Sequence, residues 1–183
     1  TMKVLIFLAE GFEEAEALCP ADVLKRAGID VVLAGVQGKD VTSSHGITVH
    51  ADTTVSELDS NERWDAVFCP GGMPGAVNLA QSWEVNEILV RAAQDSIVAA
   101  ICASPAAVLA PLGLLTGRTA TCFPGCESYA PDIPFSSEGV VQDGNILTGK
   151  SAGWAFDLGL KLVEMLKGKE SAEKVRAAIY YKE

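Results

Sequence analysis

Apolar residues fall along this chain in short runs, and amphipathic stretches separate them. Lys3–Leu8 (KVLIFL) is nearly all apolar, as a strand covered on both faces should be. Residues Glu14 to Ala27 then predict a helix with Gly28 as its stop signal, and Pro20 inside it predicts a kink or a restart. Asp30–Val36 reads as a second buried strand. Residues 40 to 58 carry short alternating stretches, including Ile47–His50, which predict a hairpin excursion. Asp65–Gly72 (DAVFCPGG) reads as a third strand ending in a glycine-rich loop. Val85, Ile88, Leu89, Ala92 and Ala93 recur at helical spacing, so Trp83–Gln94 predicts an amphipathic helix. Ile97–Ile101 is a fourth buried strand, with another helix beginning near Ser104. Thr119–Thr121 and Asn145–Thr148 are candidate late strands, and Leu158, Leu162, Met165 and Leu166 mark a last long helix. Strands alternating with helices imply an α/β fold: a mostly parallel sheet with helices on both faces.

Composition narrows the class. Of 183 residues, 49% are hydrophobic and 21% charged, which suits one globular domain spanning residues 1–183. Fourteen Lys+Arg against 24 Asp+Glu give a net charge of −10, so neither nucleic acid nor an anionic membrane is an expected partner. Ile97–Leu115 has no charge over a span long enough to cross a bilayer. Pro105, Pro111 and Gly113 interrupt it, which favours a buried strand running into a buried helix. No leader peptide is expected, since the run from Val4 to Ala9 is cut by Glu10 without a small-residue cleavage site, and Thr1 before Met2 reads as a remnant of expression. Five cysteines make no disulfide framework, which predicts a reducing, cytoplasmic setting with thiols free for chemistry.

In parallel α/β sheets, sites lie beyond the carboxyl ends of the strands. There the chain carries Ile101-Cys102-Ala103-Ser104-Pro105, a nucleophilic residue between strand and helix with small neighbours. This is the logic of a nucleophile elbow, and amides and the dipole at a helix start would favour a thiolate. Cys102 is accordingly expected to be the most acid of the five thiols; the alternative is an inert core cysteine. Gly71 and Gly72 end another strand, where backbone amides could approach a ligand as an oxyanion pocket or merely form a turn. Glu13 and Glu14 suit a helix start by charge alone. Glu16 lies four residues before Pro20 in a small-residue setting, where a semi-buried carboxyl can stay protonated and donate. Cys122 and Cys126 lack a second ligand pair, so no metal is expected. Cys19 and Cys69 read as core, and His45 and His50 as hairpin residues.

Taken in order, GFEEAEALCPADVLKRAGI, DAVFCPGGMPGAVNL, VAAICASPAAVLA and ILTGKSAGWAFDLGLKLVEML resemble the DJ-one/ThiJ/PfpI superfamily, closest to its small single-domain branch. That resemblance implies a flavodoxin-like three-layer sandwich, usually a homodimer with its site near the subunit interface. It implies Cys102 as the elbow cysteine, Glu16 as the acid that hydrogen-bonds its sulfur, and the amides of Gly71, Gly72 and Ala103 as the pocket lining. Phe123 stands where relatives often carry a His near the sulfur, and His45 where some carry an Arg. Ala103 stands where the peptidase-like branch has His, so a Cys-His dyad lacks its base. Nothing supports a thiazole phosphate site.

The leading expectation is a cofactor-independent cysteine enzyme acting on small reactive dicarbonyls. It would convert methylglyoxal to lactate in the manner of a glyoxalase III, or release glycated amines and thiols as a deglycase. The alternative is a non-enzymatic redox sensor or stress chaperone working through oxidation of Cys102. A peptidase or amidase is disfavoured by the missing His.

Overall fold

A computed structural model describes residues 1–182. Its central sheet has seven strands, starting with β1 (Lys3–Leu8), β2 (Asp30–Gly35), β5 (Thr53–Thr54), β6 (Ala66–Cys69) and β7 (Ile97–Ile101). The other two are β8 (Val140–Asp143) and β9 (Ile146–Gly149), and the order across the sheet is β5-β2-β1-β6-β7-β9-β8. Every pairing is parallel except β8 with β9. A separate antiparallel pair, β3 (Asp40–Thr42) and β4 (Thr48–His50), forms the anticipated hairpin.

The apolar runs form strands because both faces of the sheet are covered. In β1, Val4, Ile6 and Leu8 pack into one layer and Leu5 and Phe7 into the other, and all five are fully buried. Helices α1 (Glu14–Arg26), α4 (Ala155–Lys167) and α5 (Lys169–Ala178) close the first layer through Ala17, Leu24, Leu158, Leu162 and Val175. Helices α2 (Gly75–Ala80) and α3 (Trp83–Asp95) close the second through Leu79, Val85 and Leu89. This is the flavodoxin-like sandwich that the resemblance implied.

Four local expectations are corrected. Pro20 does not restart α1, which runs unbroken from Glu14 to Arg26. An internal proline costs a helix ~3 kcal/mol. Here Pro20 is buried against Gly159 of α4, where an added Cβ would sit 3.0 Å from its Cα, and this close packing offsets the cost. Thr119–Thr121 is not a strand, because its amides are taken by side chains: Thr119 N–H donates to Asp143 Oδ2 and Thr121 N–H to Thr148 Oγ1. Only an isolated bridge, Thr121 to Ser136, remains, and β8 holds the sheet edge instead. The helix marked by Leu158 to Leu166 is followed by α5, and α2 comes before α3; neither extra helix was anticipated. Beyond β7, the uncharged segment turns at Cys102 into one π-helical turn, Pro105–Leu109, and a short 3-10 turn, Ala110–Leu112. No helix among the described residues is long and apolar enough to cross a membrane.

Candidate active site

The carboxyl end of β7 meets its helical turn at Cys102, whose φ of 64° lies in the left-handed region. A non-glycine residue held there costs about 1–3 kcal/mol and persists only when its surroundings over-determine it. They do so here from both sides. Cys102 N–H donates to Gly149 O at the end of β9 (2.9 Å), and Phe123 N–H donates to Cys102 O (2.8 Å). Ser104 adds a third tie: its fully buried hydroxyl donates to Pro70 O at 2.6 Å, fastening the elbow to the loop after β6. The sequence reading passed over Ser104, although a lone hydroxyl inside ICASPAAV was the available signal.

That loop carries Gly71 and Gly72. Gly71 N–H donates to Glu16 Oε1 at 2.9 Å, and Gly71 O accepts from Glu13 N–H at 2.9 Å. A Cβ at Gly71 would stand 2.6 Å from Cys102 Cβ and 2.7 Å from Glu16 Oε1, so the glycine marks the seam between the carboxyl and the thiol-bearing residue. Gly72 has φ 89°, and a Cβ there would run into the backbone of Gly11 and Glu13. Its amide and that of Ala103 are directed at the Cys102 sulfur. The two glycines thus divide the part sketched for them together: Gly72 offers its amide to the sulfur, while the amide of Gly71 is committed to Glu16.

Glu16 projects from the first turn of α1, and Glu13 caps that helix by accepting Glu16 N–H at 3.0 Å. The Glu16 side chain is 1% exposed. Its Oε2 has no hydrogen-bond partner of ordinary geometry, and the thiol of Cys102 is the remaining polar group that the carboxyl faces. Burial pushes its pKa up to about 7, against the pull of Cys102 and the Gly71 amide, and nearby Glu13 and Glu14 push the same way as burial. A carboxyl kept neutral near pH 7 was the expectation for this position.

The thiol departs from its expectation. Burial, and then the charge and hydrogen-bond acceptance of an ionised Glu16, push Cys102 up to about 12. The amides of Gly72 and Ala103 pull the other way and are outweighed. Cys102 is therefore not set apart by acidity: burial also pushes Cys122 to about 12 and raises Cys19, Cys69 and Cys126. The physical reason is burial first and the neighbour second. The sequence reading credited the helix start and omitted the cost of forming a thiolate in a buried place beside a carboxylate.

The other candidates lie outside this group. Cys69 is buried in the second layer as anticipated, whereas Cys19 is only half-buried. Cys122 is buried and Cys126 half-buried near the elbow. Phe123 meets the elbow through its backbone, and its side chain is exposed. His50 pairs with Asp40 at 2.8 Å. His45 Nδ1 lies 2.6 Å from Glu14 Oε2 and 3.3 Å from Glu13 Oε1. Ser43 Oγ donates to Glu14 Oε1 at 2.6 Å, so two half-buried carboxylates and an exposed imidazole form an ion-pair network with its donors engaged. Burial favours the neutral Glu14, but bonds with Ser43, Glu13 and His45 outweigh it and draw the carboxyl down to about 2. Cavities of about 630 and 280 Å³ open elsewhere on the surface, and neither is lined by Cys102 or Glu16.

Comparison with known proteins gives a consistent set of matches. The sequence pattern of the DJ-1/PfpI family matches residues 2–165. The chain is 38% identical to the Parkinson disease protein 7 homolog of Danio rerio, over 99% of this chain and 98% of that one. It is 29% identical to the glutathione-independent glyoxalase DJR-1.2 of Caenorhabditis elegans, over 94% of this chain and 92% of that one. Among solved structures, oxidized Toxoplasma gondii DJ-1 superposes with a TM-score of 0.95 at 37% identity, covering 100% of both chains.

Proposed function

This chain belongs to the DJ-1/PfpI family, and on that footing we propose that it is a cofactor-independent enzyme converting small 2-oxoaldehydes such as methylglyoxal to 2-hydroxy acids. One observation carries the reading: a buried carboxyl with a pKa near 7 lies against a thiol at a strained, backbone-pinned elbow. Such a pair can move one proton between its members. With the proton on the thiol, Glu16 is the base; with the proton on Glu16, the sulfur is a thiolate stabilised by a charge-assisted hydrogen bond.

The chemistry follows from that exchange. The Cys102 thiolate adds to the aldehyde carbon, and the new C–S bond pushes the carbonyl electrons onto oxygen. The amides of Gly72 and Ala103 hold that oxyanion. Protonation of the oxyanion completes a hemithioacetal and returns Glu16 to its carboxylate form. Glu16 next takes the proton from the former aldehyde carbon and returns one to the adjacent carbon, while the hydroxyl proton passes from the first oxygen to the second through the enediol. The hemithioacetal thereby becomes a thioester of the 2-hydroxy acid, and one water releases the acid and restores the thiol. The sum is dicarbonyl plus water to hydroxy acid, with no external oxidant. The amide of Gly71 holds Glu16 in line for both transfers. Release of glycated amines or thiols would use the same attack on an adduct carbon. The glyoxalase name of the Caenorhabditis relative supports the substrate class. Incubating the purified protein with methylglyoxal and measuring lactate tests the reading: the wild type produces lactate and Cys102→Ser does not. Equal lactate from both would remove Cys102 from the chemistry.

A redox-sensing role for Cys102 is favoured by one feature, the two amides around the sulfur, which could equally hold the oxygens of a sulfinate. Mass spectrometry after mild peroxide separates the readings. A sensor gains two oxygens at Cys102 before any other cysteine and makes no lactate.

A further inference from the structure

The turn that follows α5 brings Tyr181 and Lys182 against the first turn of α4. Lys182 Nζ lies 5.4 Å from the centroid of the Trp154 ring, 5.0 Å from that of Tyr181 and 3.7 Å from Asp157 Oδ2. Two rings within about 6 Å of a cation, with a carboxylate beside it, are the elements of an ammonium cage. The wall is built to one shape. The Trp154 indole lies on the backbone of Gly139, where an added Cβ would fall 2.2 Å from Cδ2, so any larger residue would push the ring away. The cage opens into the cavity of about 630 Å³, whose rim adds Glu138.

Charge and hydrogen bonding say what this cavity accepts. Two of its cations are already engaged: Lys161 pairs with Glu164 at 3.4 Å, and Arg176 pairs with Glu173 at 3.3 Å while lying over Tyr181. Among the described residues Glu138 makes no ion pair, and Asp157 has Lys182 as its only ion-pair partner, with the Tyr181 hydroxyl facing the same carboxylate. Asp157 Oδ1 is buried with no hydrogen-bond partner. At 3.7 Å, Lys182 gives Asp157 a charge but no proper hydrogen bond. An anion would be repelled here, and an apolar group would leave Oδ1 unpaired. A free ammonium could face both rings and still approach Oδ1 to hydrogen-bond distance.

We propose that the corner of this cavity formed by Trp154, Tyr181 and Asp157 is a binding site for an alkylammonium group, which Lys182 approaches from the solvent side as a tethered stand-in until a ligand displaces it. The ligand is a free di- or polyamine or the lysine side chain of another polypeptide. Both present the same ammonium on an aliphatic stem.

The test uses the full chain and follows the Trp154 indole N–H by NMR, assigned with Trp154→Phe, while putrescine or Nα-acetyl-lysine methylamide is added. Both should give a saturable shift. The one that binds more tightly identifies the source, free amine or polypeptide lysine. Lys182→Ala removes the internal competitor and should tighten binding about tenfold; Asp157→Asn should weaken it about tenfold with an unchanged melting midpoint. The proposal is overturned if Lys182→Ala shows no saturable shift up to about 10 mM of either amine, or if Asp157→Asn binds as tightly as the parent.

Discussion

Replacing Gly71 by Ala places one methyl group at the seam of the candidate site. The added carbon would lie 2.6 Å from Cys102 Cβ, 2.7 Å from Glu16 Oε1 and 2.9 Å from Ile101 O. Two of these three neighbours cannot retreat. Ile101 O is backbone, and Cys102 is pinned by its bonds to Gly149 and Phe123. The Glu16 carboxyl, at the far end of a side chain, must give way and lose its bond from Gly71 N–H. Overpacking of this kind costs about 1–3 kcal/mol. A buried bond to a charged or chargeable group adds about 1.5–3 kcal/mol, partly recovered if the carboxyl reaches solvent. A net loss of about 2–4 kcal/mol follows, worth roughly 5–15 °C in melting temperature for a chain of this size. Urea unfolding at neutral pH measures it, with Gly38→Ala as the control, because a Cβ there meets nothing within 4 Å. Lactate formation should fall with the displacement of Glu16. If Gly71→Ala unfolds within about 0.5 kcal/mol of wild type and keeps its activity, the packed carboxyl–glycine–thiol arrangement is wrong.

Four further outcomes are expected. Glu16 keeps its proton in the folded state up to about pH 7 but loses it at about 4.5 when unfolded, so the folded chain binds more protons between these values. Stability from this group is complete below 4.5 and falls by about 3 kcal/mol as pH rises through 7. Subtracting the urea profile of Glu16→Gln from that of wild type should isolate this slope, and a flat difference would contradict it. Followed by ultraviolet thiolate absorbance, Cys102 should titrate lower in Glu16→Gln than in wild type, since the amide donates to sulfur without a charge; in Glu16→Leu, which lacks the donor, it should titrate above Glu16→Gln. Identical curves in all three proteins would uncouple the pair. Ser104→Ala leaves Pro70 O unpaired in a buried place and should cost about 1–3 kcal/mol by chemical denaturation; no loss would mean the elbow does not depend on that tie. The half-exposed Leu18 on α1 and Ile47 in the hairpin suit a homodimer, so light scattering should give about 38 kDa, twice the 19.2 kDa chain, and a monomer at micromolar concentration would count against it.

The alternation of apolar runs and amphipathic stretches was enough to predict a parallel sheet covered on both faces. Burial patterning is local, and a run such as Lys3–Leu8 has few other ways to hide both sides. The turn at Cys102 was legible for the same reason, since a cysteine between a buried strand and small residues can be recognised within a few positions. What the sequence could not hold is where distant groups meet. Gly71 and Glu16 are 55 residues apart, and only the fold shows that the glycine amide belongs to the carboxyl. Burial, and after it the nearness of Glu16, cancelled the acidity expected of Cys102, because its thiolate must form out of water and beside an acid supplied by another element. Pro20 stays helical because α4 presents a glycine to it, and Thr119–Thr121 fails to become a strand because Asp143 and Thr148 take its amides. In each case local propensity was a small energy, and long-range packing and hydrogen bonding, absent from any window of the sequence, outweighed it.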